Sequence, residues 1–135
     1  MSKITIDTLV AAPAATAWEV YNDPDHITQW NQANADWHCP SATNDLRVGG
    51  RLVSRMEAKD GSMGFDFEGT YEAVEPNERL VYTLDDGRKV ETTFVPEGDG
   101  TRVTTVFDAE ESNPEDMQRM GWQAILDSYK AHVER

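Results

Sequence analysis

Residues 113–135 constrain this chain more than any other stretch. Asn113 can cap the first free backbone N–H groups, Pro114 suits the first helical position, and Glu115 and Asp116 stand where the helix dipole favours acids. Apolar residues then recur at helical spacing in two adjacent lines. One holds Met117, Met120, Gly121 and Ala124, the other Trp122, Ile125, Tyr129 and Val133. A stripe this wide needs a cover along the whole helix. Gly121 interrupts it at a cost of about 1 kcal/mol relative to Ala in a helix interior. That predicts a point where the helix offers space instead of a side chain.

The rest of the chain must supply the cover, and it reads mostly as strands. Ile4, Ile6, Thr8 and Val10 alternate with Thr5, Asp7 and Leu9, the pattern of a half-buried strand. Pro13 opens a short helix in which Ala14, Ala17, Trp18 and Tyr21 share a face. Asn22-Asp23-Pro24 stops that helix, and Asp23-Pro24 starts a second short one carrying Ile27 and Trp30. Between Gln32 and Asn44 the periodicity is lost. This predicts a loop holding Trp37, His38, Cys39 and Pro40 near the mouth of whatever the helices enclose.

After Asn44, turn signals such as Gly49-Gly50, Asp60-Gly61 and Asp86-Gly87 separate five runs, at 52–58, 64–74, 79–84, 89–95 and 102–109. Leu80, Tyr82 and Leu84 alternate cleanly, as do Val90, Thr92 and Phe94, with Asp86-Gly87 as a hairpin turn between the two runs. No long helical segment interrupts these strands, so they predict an antiparallel meander. Gly69, inside the longest run, predicts a bulge or bend that curves the sheet. The fold class is therefore α+β, in a single domain over residues 1–135. A curved antiparallel sheet wraps a long C-terminal helix, with two short helices after the first strand. Such a grip tends to leave a cavity of roughly 300–1,000 Å³.

Charge narrows the partners. With 25 acidic and 12 basic residues the net charge is −13, which repels phosphate backbones and anionic headgroups. Neither nucleic acid nor a membrane is an expected partner. No apolar run reaches the roughly eighteen residues of a membrane span, and no basic-then-apolar leader opens the sequence. Cys39 stands alone, which excludes a disulfide framework and fits a cytoplasmic location.

Five motifs in order carry a family resemblance: DPDHITQW (23–30), GGRL (49–52), FEGTYEAVEPNERLVYT (67–83), TRVT (101–104) and GWQAILD (121–127). Together they resemble the activator of 90-kDa heat-shock protein ATPase homologue family, within the START-like (SRPBCC) helix-grip superfamily. The resemblance covers essentially the whole chain. It implies an apolar cavity between sheet and C-terminal helix, where superfamily members bind lipids, hormones or polyketides and some catalyse cyclisation or hydrolysis. Eukaryotic co-chaperones of the family carry an additional N-terminal domain, for which this chain has no room, so chaperone activation is not the leading expectation. Asn31 stands after Trp30 where relatives often have a second aromatic residue, which implies a more polar ligand at the pocket mouth.

The expected ligand-binding residues are Trp30 and Trp37 near the mouth, Phe67 and Tyr82 on the sheet, and Met117, Met120 and Gly121 on the helix. Taken singly, aromatic and Met residues at these spacings read as core; as a group, some must line the cavity. Trp18 and Trp122 read as helix packing. Asp66 and Glu68 share one strand face and read as its solvated side, opposite Phe65 and Phe67, although alternation across Gly69 leaves the inward face open. No catalytic residue, metal site or cofactor is expected. Serines lack readable His and acid partners, His38-Cys39 is not metal spacing, and Gly49-Gly50 leads into a strand instead of a phosphate-binding helix. The leading expectation is a binder of a small, largely hydrophobic molecule. The alternatives are a cyclase- or hydrolase-like enzyme using the same cavity, and a module that docks a chaperone or another protein.

Overall fold

The computed structural model describes residues 2–135. In chain order it comprises β1 (Lys3–Val10), α1 (Ala14–Asn22), α2 (Pro24–Trp30), β2 (Trp37–Asn44), β3 (Arg51–Ala58), β4 (Gly64–Glu75), β5 (Arg79–Leu84), β6 (Lys89–Glu97), β7 (Gly100–Asp108) and α3 (Glu115–Val133). The strands form one antiparallel sheet in the order β1-β7-β6-β5-β4-β3-β2. The meander β2–β7 follows from its tight turns, with Gly61, Gly87 and Gly98 at positive φ. β1 closes the far edge by pairing with β7, Lys3 opposite Asp108 through Val10 opposite Thr101. The helices α1 and α2 carry the chain from that edge to β2 at the other. The result is a helix-grip fold.

β1 is an edge strand, and α3 covers its open side. Arg119 Nη1, Gln123 Nε2 and Lys130 Nζ donate to the carbonyl oxygens of Thr5, Asp7 and Leu9 at 2.7, 3.1 and 2.8 Å. Alternate carbonyls of an edge strand point away from its partner, so three long polar side chains on one helix face satisfy the row that would otherwise template a foreign strand. Deeper in, the fully buried Tyr129 donates its hydroxyl to Ala17 O at 2.6 Å, which ties α3 to α1. Ile4, Val10, Leu80, Val90, Val103 and Phe107 complete the core at this end of the sheet. α3 packs on β1, α1 and α2. The strands β3–β5 are left facing open space.

Several sequence expectations need correction. The stretch expected as a loop is the strand β2, paired with β3. Its register shifts between His38 and Ser41, and Pro40, which has no N–H to contribute, sits in that irregularity on the edge of the sheet. Asn113 does not cap α3. Its Nδ2 donates to Glu110 Oε1, and no side chain caps the helix start. The loop is held instead by Gln118, 8% exposed, which accepts from Glu110 N at 2.9 Å and donates to Asn113 O at 2.8 Å. Gly69 lies in regular register, opposite Leu52 and Leu84, and the irregularity of β4 falls between Tyr71 and Ala73. A Cβ at Gly69 would come within 3.0 Å of Tyr82 Cδ2. The residue is absent a side chain so that the Tyr82 ring can lie across the strand.

Candidate ligand cavity

Between the concave face of β3–β5 and the N-terminal half of α3 lies a cavity of about 590 Å³. Leu52, Ser54 and Met56 of β3, Phe65, Phe67 and Tyr71 of β4, and Tyr82 of β5 form its floor. Period-two alternation puts Asp66 and Glu68 on the opposite face, where they pair with Arg55 and Arg51. Met117, Gln118, Trp122, Ile125 and Leu126 of α3 form the roof, and Tyr21, Ile27 and Trp30 of α1 and α2 close one end. The rim is marked by Phe65 and Met117, which are 50% and 59% exposed.

The walls are built from linked aromatic contacts. Trp122 stacks on Phe107 with centroids 3.9 Å apart, and meets Phe67 edge-on at 5.9 Å. Phe67 in turn meets Tyr82, and Tyr82 meets Tyr71, at 6.3 and 6.0 Å. Tyr21 packs between Trp30 and Tyr129, and the Trp30 indole donates to Val20 O at 2.9 Å. Such edge-to-face pairs fix ring positions and leave a preformed apolar shape.

The polar lining is sparse and mostly neutral. Tyr71 donates to Asn44 Oδ1 at 2.6 Å, while Asn44 Nδ2 donates to Asn22 O at 2.8 Å. Burial pushes the phenols of Tyr21, Tyr71, Tyr82 and Tyr129 above their ordinary range, so they remain protonated donors. Arg88 and Glu110 are the charged members of the lining. Among the described residues, no group of three or more His, Cys, Asp or Glu converges as a metal site.

The model of the family described as activator of Hsp90 ATPase homolog 1-like protein matches residues 11–134. The chain belongs to this family. Among solved structures it is similar to the AHSA1-like protein from Aeromonas hydrophila, with 46% identity, a TM-score of 0.92, and coverage of 98% of this chain and 92% of that one. A protein from Cytophaga hutchinsonii is 47% identical at a TM-score of 0.85, covering 97% of this chain and 91% of that one. One from Chromobacterium violaceum is 25% identical at a TM-score of 0.90, covering 100% and 99%. No curated protein matches this chain.

In this family member the cavity brings together four of the seven residues singled out from sequence: Trp30, Phe67, Tyr82 and Met117. Trp37, Met120 and Gly121 are not among its lining residues. Trp37 lies on β2 and packs on Phe65 with centroids 6.1 Å apart. Met120 is 72% exposed, and a Cβ on Gly121 would meet nothing within 4 Å. The covered face of α3 is centred on the line of Trp122, Ile125, Leu126 and Tyr129, which turns Met120 outward. Trp122, assigned from sequence to helix packing, both packs on Phe107 and lines the cavity. Its position one step from Ile125 in the same stripe was the available signal. Tyr71 and Tyr82, directly opposite in the β4–β5 register, form a pair that only the register reveals. Asn31, singled out for its polarity, lines the cavity as well.

Proposed function

We propose that this domain binds a small, largely apolar molecule in the cavity between the sheet and α3. The observation that carries this reading is the volume itself. About 590 Å³ stays unfilled in a molecule that has large side chains available, and aromatic contacts hold it open. Close packing is the rule for interiors, so an unfilled apolar space of that size is a site to be occupied. The domain is one unit, placed in the cytoplasm, with neither nucleic acid nor membrane as partner, in keeping with its net charge of −13. Among the described residues, no helix is long and apolar enough to cross a membrane.

Native mass spectrometry of protein taken gently from its own cells tests this. The expected result is a stoichiometric adduct of a few hundred daltons that denaturation releases, with saturable binding of the neutral dye Nile red once it is gone. A bare protein mass together with no dye binding overturns the reading. A second reading, docking of a protein segment on the rim, draws on the exposure of Met63, Phe65 and Met117. It predicts that Met63→Ser abolishes partner capture while dye binding persists.

A further inference from the structure

Arg88 stands just before β6, its carbonyl accepting from Leu84 N at 2.7 Å across the hairpin. Its side chain is 18% exposed, against 35–72% for the other ion-paired arginines, Arg47, Arg51, Arg55, Arg79 and Arg102. Those five lie on the outer surface or its rim, whereas Arg88 lines the cavity. Its Nε donates to Asp86 Oδ2 at 2.8 Å, which fixes one side of the guanidinium. Its Nη1 and Nη2 have no acceptor among the described residues. Neither is sealed from solvent, since among the described residues the buried, unpartnered side-chain polar atom is His132 Nδ1. The paired Nη1–Nη2 edge is therefore open and accessible at a cavity wall.

We infer that Arg88 receives the carboxylate of an amphipathic ligand whose apolar body fills the cavity. This rests on the binding function proposed above. The open guanidinium edge presents two parallel N–H donors, which match a carboxylate bidentately. A half-desolvated cation with only one of its edges satisfied gains more from an anion than an exposed arginine does. Tyr82 adds a second donor. Its hydroxyl has no partner among the described residues and is not sealed off, and the Arg88 charge is close enough to act on it. Glu110, the other charged lining residue, forms no ion pair with Arg88 and accepts from Asn113. Asp86 already balances part of the Arg88 charge and Glu110 shares the lining, so in a protein of net charge −13 the site suits a monoanion and disfavours a phosphate dianion.

The test compares probes that share one tail: dodecanoate, dodecanol, methyl dodecanoate and dodecyl phosphate, each competed against Nile red. Wild-type protein is expected to bind dodecanoate at least tenfold more tightly than dodecanol or the ester. Arg88→Gln should bring that ratio close to one, and Arg88→Lys should leave it in between, because an ammonium cannot make the bidentate contact. Equal affinity for acid, alcohol and ester in the wild type overturns the inference while leaving the cavity function standing, and this comparison needs no variant. Tighter binding of dodecyl phosphate than of dodecanoate, or an unchanged ratio in folded Arg88→Gln, also overturns it. If neither the probes nor Nile red bind, the cavity function fails and the inference with it.

Discussion

Phe107 of β7 and Trp122 of α3 lie face to face, with centroids 3.9 Å apart and ring planes 10° from parallel. This stack anchors the cavity roof to the sheet, and the same indole meets Phe67 edge-on with centroids 5.9 Å apart. Trp122 is thus both a structural rivet and a wall of the site, and Trp30 forms part of the opposite end.

These placements divide the four tryptophans into two classes. Trp30 and Trp122 line the cavity, whereas Trp18 and Trp37 do not. Binding of dodecanol should shift the indole emission, and Trp30→Phe and Trp122→Phe should each remove part of the shift. The double variant should remove nearly all of it. A shift undiminished in the double variant places the ligand elsewhere.

Gly121 can be substituted without loss. No atom lies within 4 Å of where its Cβ would sit, Met117 and Ile125 one turn to either side line the cavity, and its φ is not positive. Gly121→Ala should therefore gain the helix propensity difference of about 1 kcal/mol. That corresponds to a rise in melting temperature of roughly 3–6 °C for a domain of this size, with Nile red affinity unchanged. A fall in melting temperature contradicts the geometry.

The sequence made the periodic elements legible and hid the aperiodic ones. The β5–β6 hairpin was readable because Leu80, Tyr82 and Leu84 alternate and Gly87 follows Asp86 at the turn. β2 was not, because its edge position lets Pro40 and polar residues stand where a central strand would need apolar ones. For the site, Trp30 and Tyr82 were legible as large residues on elements that must face inward. Arg88 was not, because a turn-flanking arginine reads as solvent-exposed until the hairpin is seen to fold its side chain against the cavity. Met120, 72% exposed, was misleading for a related reason. Helical spacing alone gives the stripe but leaves its centre uncertain by one residue, about 100° of rotation.

The two histidines of opposite chain ends predict a pH response. His26 Nδ1 and His132 Nε2 are 3.0 Å apart, and His132 Nδ1 is sealed without a partner. Burial first, then the His26 and Arg135 charges, hold the His132 pKa below its ordinary value of 6.5. The unfolded chain therefore takes up this proton before the folded one does. Stability from this group is complete above the ordinary pKa and is lost as pH falls through the depressed folded value. The melting temperature should drop as pH falls below about 6.5, and His132→Gln should flatten that part of the curve. Identical profiles for the two proteins remove His132 from the account.

Gly69 sets the position of Tyr82. An added methyl would sit 3.0 Å from the Tyr82 ring and 3.1 Å from the Thr83 carbonyl oxygen, on a buried central strand. Gly69→Ala should cost about 1–3 kcal/mol as overpacking, and should weaken Nile red binding because the displaced ring enters the cavity. Calorimetric melting and dye titration measure the two effects. Unchanged stability and affinity mean that the ring has room to move aside.

Asn44 joins three elements through one side chain. Its Oδ1 accepts from Tyr71 of β4 and its Nδ2 donates to the carbonyl of Asn22, the last residue of α1. That carbonyl has no further helical N–H to receive, so Asn44 supplies the partner that the helix end lacks. Asn44→Ala strands both the phenol and the carbonyl. Each unsatisfied buried group costs about 1–3 kcal/mol, lowered here because both groups lie beside a cavity that water can enter, so a total near 2 kcal/mol is expected. Tyr71→Phe removes only the donor and should cost about 1 kcal/mol. Because the two side chains share a hydrogen bond, the losses should not add. Tyr71→Phe in the Asn44→Ala background should cost less than in the wild type, by a coupling of at least about 0.5 kcal/mol. Urea denaturation of the four proteins closes this cycle. Strict additivity would show that the 2.6 Å contact contributes nothing to holding β4 against β2, and that the asparagine acts through the α1 carbonyl alone.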